Sequence, residues 1–104
     1  MAAQAQSLSN NNQIITGADR TEEYLPYLKG KRIAIMANPT SIIGEKHLVD
    51  SLQSLGVEIV KVFGPEHGFR GNVGAGVHVK DEIDNKTGIP IVSLYGAKRK
   101  PSKE

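Results

Sequence analysis

The chain has 104 residues, 38% of them from the AVILMFWYC set, with 11 glycines and no cysteine. This is globular composition for one small domain or part of a larger one. It excludes a disulfide scaffold and thiolate metal sites, and no apolar run nears the ~18 residues of a membrane-spanning helix. Thirteen Lys and Arg against eleven Asp and Glu leave a net charge of +2, too small a surplus to mark a nucleic-acid partner.

Residues 1–13 are almost wholly Ala, Gln, Ser and Asn with a single Leu. They offer little to bury and are expected to be a disordered polar N-terminus. They contain no basic n-region and no apolar h-region, so no intact signal peptide. The run Ala3-Gln4-Ala5-Gln6 resembles the small-residue stretch near a signal cleavage site. A processed secreted chain and a plain polar start are both open readings.

Order is expected from Ile14. Asp19 or Thr21 is placed to cap a short helix through Leu28, with Glu22 and Glu23 in its favourable first turn. Pro26 within it demands a short or distorted helix, and Gly30 ends it. Residues 32–38, RIAIMAN, form a continuous apolar run that suits a strand covered on both faces. Asn38-Pro39-Thr40 then turns the chain, because Pro39 restricts Asn38 and lacks an N–H.

Residues 45–55 are expected to be helical: Leu48, Leu52 and Leu55 recur at helical spacing with Val49 beside them, and Gly56 suits the end. His47 on this helix reads as a surface residue. Residues 57–63, VEIVKVF, are a β-branched second strand. Strand, helix, strand at this spacing is a βαβ unit with parallel strands. Residues 89–94 are a third strand, with Pro90 tolerated near its start.

The fold class is therefore α/β, a Rossmann-like parallel sheet. Three strands and one crossover helix do not cover both faces of such a sheet, so residues 14–104 are expected to be the N-terminal portion of a larger, truncated domain. About 25 residues separate the second and third strands, and seven of the 11 glycines fall between Gly64 and Gly96. A connection of that length is often functional.

In an open parallel sheet, ligands bind beyond the carboxyl ends of the strands. Two segments emerge there: Asn38-Pro39-Thr40-Ser41, and Gly64-Pro65-Glu66-His67-Gly68-Phe69-Arg70-Gly71. The second sets a carboxylate, an imidazole and a guanidinium within five residues, flanked by glycines. These groups serve acid–base chemistry or hold an anion. The bland alternatives are a Glu66–Arg70 pair on a turn, a His67 bonded to a backbone carbonyl, and an Arg70 that only braces the loop.

Glu66, His67 and His78 lack the spacing of a strong zinc motif, so no metal is assigned. Gly71, Gly74 and Gly76 form G-x-x-G-x-G, which is neither the dinucleotide fingerprint nor a Walker A loop. No cofactor is called for. Asp81, Glu82 and Asp84 read as a solvated acidic turn or the source of a second carboxylate. Lys98, Arg99 and Lys100 read as a solvated tail.

Taken together, Leu28-Lys29-Gly30-Lys31-Arg32, Asn38-Pro39-Thr40, the string from Val62 to Gly71, and Ser93-Leu94-Tyr95-Gly96 followed by Arg99-Lys100-Pro101 resemble the N-terminal part of the NamZ-type exo-β-N-acetylmuramidases. The resemblance runs from about Ile14 to Ser102. It implies a Rossmann-like N-terminal domain with the catalytic cleft and a smaller C-terminal domain. The implied activity is a glycosidase releasing N-acetylmuramic acid from non-reducing ends of peptidoglycan fragments, in the periplasm or outside the cell, during cell-wall turnover. Its implied ligands are peptidoglycan-derived muramyl saccharides.

On that resemblance Glu66 is the catalytic acid, with His67 beside it. Asn38, Thr40, Gly68, Arg70 and Gly71 line the substrate site, and Arg70 is a candidate partner for the lactyl carboxylate of muramic acid. Family members are much longer, so an inert folding unit and a non-catalytic sugar- or anion-binding module are the alternative readings.

Overall fold

The computed structural model of the chain describes residues 13–71 and 80–103. The expected disorder of the polar start therefore falls almost wholly outside the described residues, as do Gly74, Gly76 and His78. The first helix, α1, is Thr21–Leu28. Its N-cap, Arg20, makes no side-chain cap bond. Asp19 instead closes the preceding turn, accepting from the Thr16 hydroxyl at 2.9 Å and the Thr16 N–H at 3.3 Å. Pro26 lies inside α1, which ends after eight residues.

Strand β1, Arg32–Met36, pairs in parallel with β4, Glu58–Gly64, and β4 pairs in parallel with β6, Pro90–Ser93. Between β1 and β4 the register skips Val60: Ile33 faces Ile59, but Ala34 faces Lys61. This inserted residue is a bulge. It puts Ile59 and Val62, three positions apart, on one face with Ile33 and Ile35. Ile91 of β6, opposite Val62, joins them. The helix α2, Leu48–Ser54, adds Val49 and Leu52, and these side chains with Ala37, Phe69 and Ile89 form the core.

The other face of the sheet carries Ala34, Met36, Lys61, Phe63 and Val92, each exposed or half-buried, with Met36 61% exposed. Among the described residues α2 covers one face, with Tyr24, Leu25 and Leu28 of α1 packed against the same core, so the coverage of both faces expected for the first strand is not supplied by these residues.

Two further corrections concern short elements. Residues 45–47 are not helical. Lys46–His47 is β3, paired antiparallel with β2, Ile42–Ile43, so α2 begins only at Leu48. The long connection contains a two-residue strand, β5, Glu82–Ile83, antiparallel to β6. The sheet is consequently mixed, in the order β1-β4-β6-β5, with its three long strands parallel. It is the α/β architecture of a Rossmann-like unit, with the carboxyl ends of β1, β4 and β6 along one edge.

Candidate functional site

The loop after β1 is a small hydrogen-bonded knot. Ala37 donates to the Phe63 carbonyl at 3.1 Å, extending the β1–β4 ladder by one bond. The Asn38 side-chain oxygen then accepts from the Thr40 N–H at 3.0 Å, the Thr40 hydroxyl at 2.8 Å and the Ser41 hydroxyl at 3.3 Å. This is the side-chain-closed turn that Asn before Pro favours. Asn38 and Thr40 are both exposed.

The loop after β4 folds back at once. Gly68 donates to the Pro65 carbonyl at 2.9 Å, closing a four-residue turn with Glu66 and His67 at its centre. His67 has φ +71°, the one described non-glycine residue with positive φ, and Gly68 follows at +71°. Left-handed backbone costs an ordinary residue about 1–2 kcal/mol, so the tightness of this turn overrides local preference. Glu66 and His67 are half-buried and Gly68 is buried.

Beyond Phe69, which is 2% exposed, Gly71 brings the two loops together. A Cβ there would lie 2.8 Å from the Pro39 Cγ, and its φ is +77°. The position thus admits only glycine without movement.

Arg70 anchors this loop from below. Its Nη1 and Nη2 donate to the Asp50 carboxylate at 3.0 and 2.8 Å, and its Nε and Nη2 to Asp84 at 2.7 and 2.8 Å. These are two bidentate pairs, the geometry that a planar guanidinium matches best. The Arg70 side chain is 24% exposed, and those of Asp50 and Asp84 are 6% and 7%. Lys86 adds a second cation 3.1 Å from Asp50, while Thr87 gives Asp84 its N–H at 3.0 Å and its hydroxyl at 2.5 Å.

Two carboxylates and two cations balance. The hydrogen bonds from Arg70 hold the Asp50 carboxyl down at about 2 despite burial, and lower Asp84 likewise. Arg70 is stabilised as the cation by the same contacts, first with Asp84 and then with Asp50. Its guanidinium also stacks 4.6 Å above the Phe69 ring.

His47 caps α2 and reaches both loops. Val49 donates to its Nδ1 at 3.1 Å, and its Nε2 lies 3.0 Å from the carbonyls of Asn38 and Phe69. Its ring meets that of Phe69 edge-on, 5.2 Å between centroids. The surface role read from the sequence is therefore corrected: His47 is half-buried between α2 and the site.

The predicted residues thus gather along one edge, at the carboxyl ends of β1 and β4. Glu66, His67, Gly68 and Gly71 stand on one loop, and Asn38 and Thr40 on the other. Arg70 belongs to the same loop but faces two buried carboxylates that sequence reading did not assign to it. Four of its five N–H groups are committed to those two carboxylates.

The acidic turn divides in function. Asp84 is 6% exposed and belongs to Arg70, while Asp81 accepts the Ser93 N–H at 2.7 Å, and Glu82 is exposed. Lys98 lies 3.6 Å from Asp81, and Arg99 stacks 4.5 Å over the Tyr95 ring. Sequence reading missed Asp50. A carboxylate directly after apolar Leu48-Val49, at the start of a helix, was the available signal. Among the described residues, no group of three His, Asp or Glu side chains is arranged to hold a metal ion. No described helix is long and apolar enough to cross a membrane.

The glycine-flanked Glu-His turn of this parallel-stranded α/β unit lies at the carboxyl edge of the sheet, where open α/β sheets bind their ligands. Residues 33–104 match the family described as "Exo-beta-N-acetylmuramidase NamZ, N-terminal", and the chain belongs to that family. The peptidoglycan beta-N-acetylmuramidase NamZ of Bacillus subtilis is 42% identical over 95 residues, 88% of this chain and 23% of that protein.

Two crystal structures of DUF1343 family proteins from Bacteroides fragilis share the fold. One is 47% identical with a TM-score of 0.71, covering 88% of this chain and 22% of that one. The other is 37% identical with a TM-score of 0.63, covering 79% and 20%. The chain therefore spans less than a quarter of the length of these relatives, and matches them across both strand-end loops.

Proposed function

We propose that the chain carries the acid-bearing part of an exo-acting β-N-acetylmuramidase, with Glu66 as its general acid. Such an enzyme removes N-acetylmuramic acid from the non-reducing end of peptidoglycan fragments. What carries this reading is the Pro65–Gly68 turn. It holds a carboxyl side chain at the carboxyl edge of the central parallel strand, in a chain whose residues 33–104 match the muramidase family.

In the reaction, the Glu66 carboxyl gives its proton to the bridging glycosidic oxygen as the bond from that oxygen to the muramic acid C1 breaks. The bonding electrons leave with the oxygen, and positive charge develops on the sugar ring. Water completes the hydrolysis at C1 and its proton restores the carboxyl. The second group is either another carboxylate or the substrate's own acetamido oxygen. His67 borders the reacting bond. Thr40, Asn38 and the backbone at Gly68 and Gly71 line the sugar site.

Arg70, 24% exposed, is the candidate partner for a lactyl carboxylate. Its larger part is to hold the Glu66 loop against Asp50 and Asp84. The work is set in the periplasm or outside the cell, in cell-wall turnover, where the polymer is.

The test is release of N-acetylmuramic acid from a MurNAc-GlcNAc disaccharide by the wild-type protein and by Glu66→Gln. Removing a general acid is expected to lower turnover about 10²–10⁴-fold, with the disaccharide still bound. Equal turnover by the two proteins overturns the assignment of Glu66. Binding of the disaccharide without turnover by the wild type replaces the enzyme reading with a saccharide-binding one.

A further inference from the structure

We infer that His47 is a positioning residue that sets the two strand-end loops of the site in register through a single shared proton. The inference rests on the muramidase reading for its effect on turnover, but not for the bridge itself. The Val49 N–H donates to Nδ1, so Nδ1 carries a lone pair and the ring proton sits on Nε2. That Nε2–H faces two carbonyls at the same distance, 3.0 Å, one from each loop. Asn38 begins the loop that carries Thr40. Phe69 follows the turn that carries Glu66 and His67.

The ring is itself held firmly. Its Nδ1 is fixed by the start of α2, and its edge-on contact with Phe69 has an interplanar angle of 84°. The two nitrogens thus act separately, one capping a helix and the other joining the loops. An imidazole serves both ends at once because its two nitrogens are an acceptor and a donor on one rigid ring.

Two substitutions separate the cap from the bridge. In His47→Asn the amide oxygen takes the place of Nδ1 and keeps the Val49 bond, but nothing reaches the carbonyls. In His47→Gln the longer side chain brings an amide N–H to the position of Nε2, and the cap is lost. Two readouts are compared with wild type. One is amide hydrogen exchange at Thr40, Ser41 and Gly68, each hydrogen-bonded within its own loop, with Val62 of β4 as the reference. The other is kcat and KM for N-acetylmuramic acid release.

His47→Asn is expected to keep a near-wild-type melting midpoint, while its loop amides exchange at least ~10-fold faster than the Val62 reference predicts and kcat falls about 10²-fold, the scale of an ångström-sized misplacement. His47→Gln is expected to lose melting temperature yet keep loop protection and most of kcat. Unchanged loop exchange in His47→Asn overturns the bridge. So does a fall in kcat that follows the melting midpoint in both variants. If the wild type releases no N-acetylmuramic acid, the muramidase reading fails, and the exchange rates alone decide the bridge.

Discussion

Replacing Arg70 by Met removes four charge-assisted hydrogen bonds and leaves two carboxylates, 6% and 7% exposed, without their main partner. Breaking a buried ion pair by deleting one member costs about 3–5 kcal/mol. Arg70 is 24% exposed, and Lys86 and Thr87 remain beside the two acids, so the lower end applies. A loss of about 3 kcal/mol is a large part of the roughly 5–15 kcal/mol expected of a domain this size. It should lower the melting midpoint by about 10–20 °C.

Acid gives the sharper test. In the wild type the Asp50 carboxyl is held at about 2, below its ordinary 3.8, chiefly by hydrogen bonds from Arg70. The folded pKa is depressed, so the stabilisation is complete above about pH 4 and is lost as pH falls through 2. For Asp50 it amounts to about 2 kcal/mol. Asp84, lowered for the same reason, acts in the same direction. In Arg70→Met the chief cause of both depressions is gone, and only Lys86 beside Asp50 and Thr87 beside Asp84 still oppose burial. That variant should therefore lose less stability than the wild type as pH falls from 7 to 3.

Urea unfolding followed by circular dichroism at pH 7, 5, 4 and 3 measures both curves, and the gap between them should close toward acid. A gap that stays constant across that range, or one under about 0.5 kcal/mol at pH 7, would refute the anchoring role of Arg70.

Gly71→Ala should destabilise by about 1–2 kcal/mol from its positive φ, and more if Pro39 does not move from the 2.8 Å approach. Thermal melts of Gly71→Ala with and without Pro39→Ala check this, and the double variant should recover the steric part. His67→Gly should be more stable than His67→Ala by about 1 kcal/mol, because both lack the imidazole and only alanine carries the left-handed penalty at φ +71°. Equal melting midpoints for the two variants would show that the turn relaxes out of that conformation.

How much of this was legible in the sequence depends on the range over which each feature is encoded. The βαβ unit follows from local periodicity: β-branched runs mark β1, β4 and β6, and Leu48, Val49 and Leu52 mark the buried face of α2. The loops that hold Glu66, His67, Asn38 and Thr40 follow from strand direction alone, because parallel strands put their carboxyl ends on one edge. The bulge at Val60 was not legible. The string VEIVKVF contains no breaker, and only pairing with β1 shows the inserted residue. Nor was the Lys46–His47 strand, whose hairpin with Ile42–Ile43 competes with the first turn of the predicted helix and ends where His47 caps α2.

Local sequence was enough for the three long parallel strands, the helix between the first two and the edge at their carboxyl ends, since each is set by neighbours a few residues apart. What the charged groups do was settled in the folded molecule alone. The partners of Arg70 lie 20 and 14 residues away, on α2 and just beyond β5, and those of His47 lie 9 and 22 residues away in two loops. A guanidinium and an imidazole carry no local mark of which oxygen they will meet. That is settled when the sheet brings separate segments together and burial leaves each charge and each N–H a single satisfactory partner set.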